Sequence, residues 1–199
     1  MVRIVQRINE RSTKPGRCSR PSARRYAQRR GRGGPVSWRR NTRPWLPASQ
    51  AARGQAVRMG TMTRQEAIDF ISVGSRTGKL ATASPTGKPH VAPVWFVVDG
   101  DALVFTTGEG TLKGRNLRSN PHAAVTVDVS EYPYDFVVVR GSVSLERQAP
   151  DLLAWTTRIA ERYVPARLAP VYGERNAVDS ELLCRLSIGR ISGALAIAL

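Results

Sequence analysis

The sequence predicts a mainly β protein, an antiparallel barrel with a few short helices, formed by residues 62–199 behind a basic leader, residues 1–61. Three observations carry that prediction. Short apolar stretches recur between Gly, Pro and Asp turn signals, which is how hairpin-connected strands read. Helical spacing of apolar residues is confined to a few brief segments, too few for alternating strand-helix units and a parallel sheet. Charge divides the chain: of 31 Lys and Arg and 15 Asp and Glu, residues 1–61 hold 16 basic residues and the single acid Glu10. The remaining 138 residues hold 15 basic and 14 acidic, so nearly all of the net +16 lies in the leader.

The leader contains Arg24-Arg25, Arg29-Arg30-Gly31-Arg32 and Arg39-Arg40, broken by Pro15, Pro21, Pro35 and Pro44. With no sustained apolar period and strong self-repulsion, it is expected to be disordered and to build no core. Met59 and Met62 stand just ahead of the first helix signal, and the favoured expectation is that the working protein starts there. The competing readings are an organelle-targeting segment and an Arg-Gly tail for nucleic acid or a membrane. The near-neutral remainder offers no electrostatic case for nucleic-acid binding by the folded part. No apolar run is long enough to span a membrane, and Cys184 is the one cysteine beyond the leader. The expectations are a cytoplasmic location, no membrane partner, no disulfide framework and no metal site.

The elements follow in order. Thr63-Arg64-Gln65-Glu66 has the form of a capping box and opens a helix through Ala67, Ile68, Phe70 and Ile71 that ends near Gly74. Gly78–Ser84 reads as a strand, Pro85–Lys88 as a turn, and Pro89–Val98 as one long strand. Asp99-Gly100-Asp101 then turns the chain into a strand over Ala102–Thr107. Thr111–Asn120 reads as a helix stopped by Pro121. Strands follow at Ala123–Val129 and Asp135–Arg147, a helix after Pro150 through Leu152, Trp155, Ile159 and Tyr163, and final strands at Glu181–Ile188 and Ile191–Leu199.

In the strand from Pro89 both alternating sets, Val91, Pro93, Trp95, Val97 and His90, Ala92, Val94, Phe96, Val98, are largely apolar. A strand buried on both faces in so small a domain needs a second covering surface, and a homodimer is the expected solution. A monomer covered by its own helices is the alternative.

Chemistry concentrates at Thr106-Thr107-Gly108-Glu109-Gly110-Thr111-Leu112-Lys113. A strand ends in two hydroxyls, a glycine-rich turn allows close backbone approach, and a helix begins with a lysine in its first turn. Free N–H groups, the positive helix end and Lys113 suit a phosphate. Lys113 and Arg115 are roughly 200° apart on a helix, so both cannot face one phosphate, and Lys113 is the expected ligand. An ordinary capped helix start is the alternative.

The ordered set Gly78-Lys79-Leu80-Ala81-Thr82, Thr86-Gly87-Lys88-Pro89-His90, Pro93-Val94-Trp95-Phe96, Asp99-Gly100, Val104-Phe105-Thr106-Thr107, Lys113-Gly114-Arg115-Asn116-Leu117 and Asn120-Pro121 resembles the pyridoxamine 5'-phosphate oxidase-like superfamily. The resemblance covers nearly all of residues 65–198. It implies a split β-barrel of the FMN-binding-protein kind, homodimeric, with a flavin-type cofactor in each of two clefts between protomers. It further implies backbone contacts to the ring from Val94, Trp95 and Phe96, hydrogen bonds to the cofactor's side chain from Thr106 and Thr107, and phosphate binding by Lys113, with Arg115 the adjacent candidate. Arg140 or the last strand would close the cleft from the second protomer.

The arginine-rich substrate signatures and Arg-Leu-x-Pro segment of the vitamin B6 oxidases are absent, and Ile191–Leu199 stands instead. The short frame resembles the F420-dependent reductases, implying hydride transfer from reduced F420 to a small organic acceptor. The alternatives are an FMN-dependent oxidoreductase of the same fold and a non-enzymatic F420 carrier. No acid–base dyad is visible, and hydride chemistry carried by a cofactor requires none. His90, His122, Tyr132 and Tyr134 are weak candidates for proton donation or for lining the substrate site, and no catalytic side chain is assigned.

Overall fold

The structure, a computed structural model, describes residues 59–198. The leader, with its readings as a late start, a targeting segment or a nucleic-acid tail, lies outside the described residues except for its last three. Those three amend the boundary. Strand β1, Gly60–Thr61, pairs with β9, Arg190–Leu195, and the Met62 amide donates to the Gly193 carbonyl at 2.9 Å. The change in charge marks where the arginines stop, but main-chain pairing needs no apolar side chain and begins at once.

Helix α1, Arg64–Ser72, carries the expected capping box: Thr63 Oγ1 accepts from Glu66 N at 3.3 Å, and Glu66 Oε2 accepts from Thr63 N at 2.7 Å. Then come β2 (Gly78–Ala83), β3 (Pro89–Val94), β4 (Phe96–Asp99), β5 (Ala102–Gly108), helix α2 (Leu112–Ser119), β6 (His122–Asp128) and β7 (Phe136–Arg147). Helix α3 (Leu152–Tyr163), a 3-10 turn (Ala166–Leu168), helix α4 (Ala169–Asn176), β8 (Glu181–Ser187) and β9 complete the order.

All strand pairs are antiparallel, in the order β3-β2-β6-β7-β8-β5-β4, with β9 also on β7. Its two outermost strands, β3 and β4, are consecutive in the chain with only Trp95 between them, so the sheet must curl to bring its edges together. Here the expected single strand Pro89–Val98 is corrected. Val94 is opposite Gly78 on β2, whereas Phe96 is opposite Phe105 on β5, and the chain passes from one half-sheet to the other at Trp95.

Strand β7 makes the same passage. It pairs with β6 up to Ser142 and with β8 from Val143. At the transfer point a Cβ on Gly141 would lie 1.9 Å from the Ser187 carbonyl oxygen, so only glycine permits the crossing. Gly100 supplies the left-handed residue (φ 55°) of the β4–β5 turn.

Inside the curl Leu80, Phe96, Leu103, Phe105, Val125 and Val137 are fully buried, each worth about 1.5–3 kcal/mol relative to exposure. On the outer face of β4, β5 and β8 a second cluster of Val97, Val104 and Leu183 lies beneath Leu152 and Ile159 of α3. Helix α4 was not anticipated, because Pro170 and Gly173 disfavour a helix interior. Pro170 instead occupies the first turn, where its missing N–H costs nothing, and Gly173 is the contact with α3. A Cβ there would come within 2.0 Å of Thr157 Oγ1. Thus the expected two-sided burial holds for Phe96 and Val97, which α3 covers. On β3 the single chain leaves Val91 62% exposed and Pro93 facing outward, the face that the expected homodimer would cover. Among the described residues no helix is long and apolar enough to cross a membrane.

Candidate functional site: an anion cradle where β5 meets α2

Successive strand residues point to opposite faces, so Thr106 and Thr107 diverge. Thr107 is buried, its Oγ1 3.0 Å from Thr111 Oγ1. The Thr111 hydroxyl donates to the Gly108 carbonyl at 2.8 Å and accepts from Gly114 N at 3.1 Å. Having spent its one proton, Thr111 must accept from Thr107. Thr107, expected at the cofactor, therefore has its hydroxyl committed to stiffening the turn. Gly114 is equally constrained: a Cβ there would meet the Gly108 carbonyl oxygen at 2.5 Å, so glycine lets α2 start directly against the turn.

Thr106 lies on the other face, toward Glu181, and its hydroxyl favours the ionised form of that carboxyl. Glu181 opens β8 directly opposite Gly108. Lys113 is half-buried and, among the described residues, belongs to no ion pair. Burial holds its ammonium below the usual lysine range, and Glu181 pulls it partly back. Burial likewise pushes the Glu181 carboxyl up to about 7, opposed by Thr106 and Lys113. His90 of β3 is held below its ordinary value by burial and by the Lys113 charge. Thr106, Lys113, Glu181 and His90 thus form one half-buried cluster. A half-buried cation with no ion pair among the described residues, beside a glycine turn, suits an anionic group such as a phosphate.

Arg115 is turned away, as helical geometry requires: it is exposed and its guanidinium donates to the Gly110 carbonyl. The Val94 side chain is buried in the barrel. Trp95 stacks on Tyr163, ring centroids 5.0 Å apart and 4° between planes, with Tyr172 at 5.9 Å. Phe96 has both backbone groups engaged: its N–H donates to the Tyr163 hydroxyl at 3.1 Å, and its carbonyl accepts from Arg162 at 3.0 Å. Of the three residues expected to offer backbone to a ring, Phe96 is therefore anchored by α3.

Tyr132 and Tyr134 form an exposed edge-to-face pair, 6.1 Å between centroids, on a loop whose Tyr134 carbonyl accepts from Ile197 N at 3.1 Å. His122 lies on the exposed face, its Nδ1 3.4 Å from Ser142 Oγ. Arg140 is exposed and lies opposite Arg190 in the β7–β9 register. Among the described residues no three His, Cys, Asp or Glu side chains converge on a metal position. Glu181 was missed at the sequence level. Its only signal was an acid at the head of the apolar run Leu182-Leu183-Cys184, and its meaning depends on the β5–β8 register.

A family model described as "Pyridoxamine 5'-phosphate oxidase" matches residues 63–184. No curated protein matches as a relative. Among solved structures, a conserved hypothetical protein of Mycobacterium tuberculosis is 23% identical, with 68% of this chain and 86% of that chain covered at a TM-score of 0.57. A FAD-binding protein of Mesorhizobium loti is 23% identical, covering 70% of this chain and 98% of that chain at 0.52. A protein described as an F420 reductase is 29% identical, covering 59% of this chain and 90% of that chain at 0.49. The first two likenesses speak for the fold.

Proposed function

The chain belongs to the pyridoxamine 5'-phosphate oxidase family, whose split-barrel superfamily includes oxidoreductases, and from that premise we propose that it is an F420H2-dependent oxidoreductase acting on a small organic acceptor. The observation that supports a bound, phosphate-bearing cofactor is Lys113: a half-buried ammonium in the first turn of the helix that follows a glycine turn, with no ion pair among the described residues. Lys113 would hold the cofactor's phosphate, and the Val94–Trp95 backbone at the passage between half-sheets would border the ring. When bound, the deazaflavin supplies the hydride.

What the chain contributes is orientation and exclusion of water. The Thr107–Thr111 hydrogen bonds keep the turn rigid, and Tyr163 and Arg162 fix the start of β4 against α3. The uncovered face of β3, with Val91 and Pro93 outward, supports a homodimer that completes the cleft.

Titrating the full chain with F420 and with FMN tests the reading. F420 is expected to bind at micromolar concentration or tighter, and FMN more weakly. Lys113→Ala should weaken F420 binding about 10–100-fold, the range for losing one charge-assisted contact, with an unchanged melting temperature at about pH 5, where Glu181 is protonated with or without the lysine. Binding of neither cofactor would dismiss the oxidoreductase reading, and preferential FMN binding with a bound-flavin spectrum would move it to the FMN branch. Light scattering is expected to show dimers that Val91→Glu dissociates.

A further inference from the structure

The cradle contains a carboxylate that an anion site does not need. Glu181 is set by its main chain: its N–H donates to Val178 O at 2.8 Å, and Ser180 O accepts from Glu109 N at 2.8 Å, which fastens the head of β8 to the glycine turn. Gly108, opposite it, has no side chain to stand between the carboxylate and the start of α2. The groups in the electrostatic neighbourhood of Glu181 are Thr106 from β5 and Lys113 from α2, with His90 of β3 beyond Lys113, whereas the Cys184 thiol, three residues along β8, is buried on the barrel side. The other nearby acid, Glu109, is taken up by Arg118 at 3.4 Å and Arg147 at 2.9 Å. Arg115 is turned outward onto Gly110. Among the described residues, one cation, Lys113, and one acid, Glu181, are therefore left to set the charge of the cradle.

We propose that Glu181 is a specificity-determining residue that disfavours a dianionic phosphomonoester in the cradle and admits a monoanionic phosphodiester. This deepens the cofactor reading above and rests on it. The side-chain phosphate of F420 is a diester with one negative charge. That of FMN is a monoester, whose second ionisation falls at about 6 as for other phosphomonoesters. A lone ammonium balances one ligand charge. An ionised Glu181 beside it penalises each ligand charge, so the penalty on a dianion is the square of that on a monoanion. For half-exposed groups a factor of about threefold per unit charge is the expected scale, or about 0.7 kcal/mol. The discrimination operates only when Glu181 is ionised, because the protonated carboxyl repels neither ligand.

The test measures dissociation constants of F420 and FMN for the full-length protein and for Glu181→Gln, which keeps the side chain's size and removes its charge. At about pH 8.5, above the carboxyl's range, the substitution is expected to tighten FMN about tenfold and F420 about threefold. At about pH 6, where Glu181 holds its proton, it should change neither appreciably. Wild-type protein provides a second readout, since its preference for F420 over FMN should exceed that of Glu181→Gln only at the higher pH. Equal effects on the two cofactors, a pH-independent effect, or weaker binding of both would overturn the proposal while leaving the cofactor reading standing. If neither cofactor binds either protein, both readings fall.

Discussion

Raising the pH from about 5 to about 8 should weaken this protein through one side chain, Glu181. Its carboxyl is held up at about 7 by burial, against an ordinary 4.5. Between these values the unfolded chain has released the proton and the folded chain retains it, so folding is coupled to proton uptake. The contribution is fully present below 4.5, is lost as pH climbs through 7, and is flat beyond. A shift of that size corresponds to at most about 3 kcal/mol, and about 1–2 kcal/mol is expected, because solvent reaches part of the side chain and Lys113 lies beside it.

Urea denaturation at both pH values, on wild type and Glu181→Gln, measures the difference directly. The variant should match wild type at about pH 5 and exceed it by about 1–2 kcal/mol at about pH 8. Lys113→Met provides a second arm: without the neighbouring ammonium the carboxyl moves further up, and the loss of stability extends to higher pH. Parallel stability profiles for wild type and Glu181→Gln would refute the reasoning, for they would mean that the carboxyl ionises in the folded protein as it does in the unfolded chain.

Two further predictions concern the frame that holds the cradle. Arg162→Met should cost about 2–4 kcal/mol in chemical denaturation, because the guanidinium donates to Ile71 O at 2.6 Å, Gly74 O at 2.7 Å and Phe96 O at 3.0 Å and lies 4.4 Å from the centre of the Phe96 ring. Arg162→Lys, which cannot reach three carbonyls at once, should recover only part of it. Gly141→Ala should cost more than about 3 kcal/mol or abolish folding, given the 1.9 Å approach to Ser187, whereas Gly110→Ala, with open space around its Cβ position, should stay within about 0.5 kcal/mol of wild type in the same assay.

Local signals were legible and long-range ones were not. Thr63 and Glu66 revealed α1, and Thr111 with Pro121 bracketed α2, because capping and chain breaking act over three or four residues. The passage at Trp95 was illegible, since an apolar run looks the same whether it pairs with one neighbour or changes partners midway. Helix α4 was hidden for the related reason that Pro170 and Gly173 are explained by a partner helix, and intrinsic propensity does not register such a partner. In the cradle, helix periodicity alone separated Lys113 from Arg115, and strand periodicity would have separated Thr106 from Thr107 had the resemblance not joined them.

Glu181 required register. An acid at a strand head is ordinarily a solvated cap, and it became part of the cleft because β8 lies against β5 with Gly108 opposite. The same pairing that hides Glu181 in the sequence ties the strand stability of β8 to the charge of the cleft, so a change in register would move the acid away from Lys113 and remove the discrimination without touching either residue. The chemistry of this cleft therefore depends on the sheet as much as on its side chains. Substitutions that loosen the β5–β8 pairing should alter the preference between phosphate esters before they unfold the barrel.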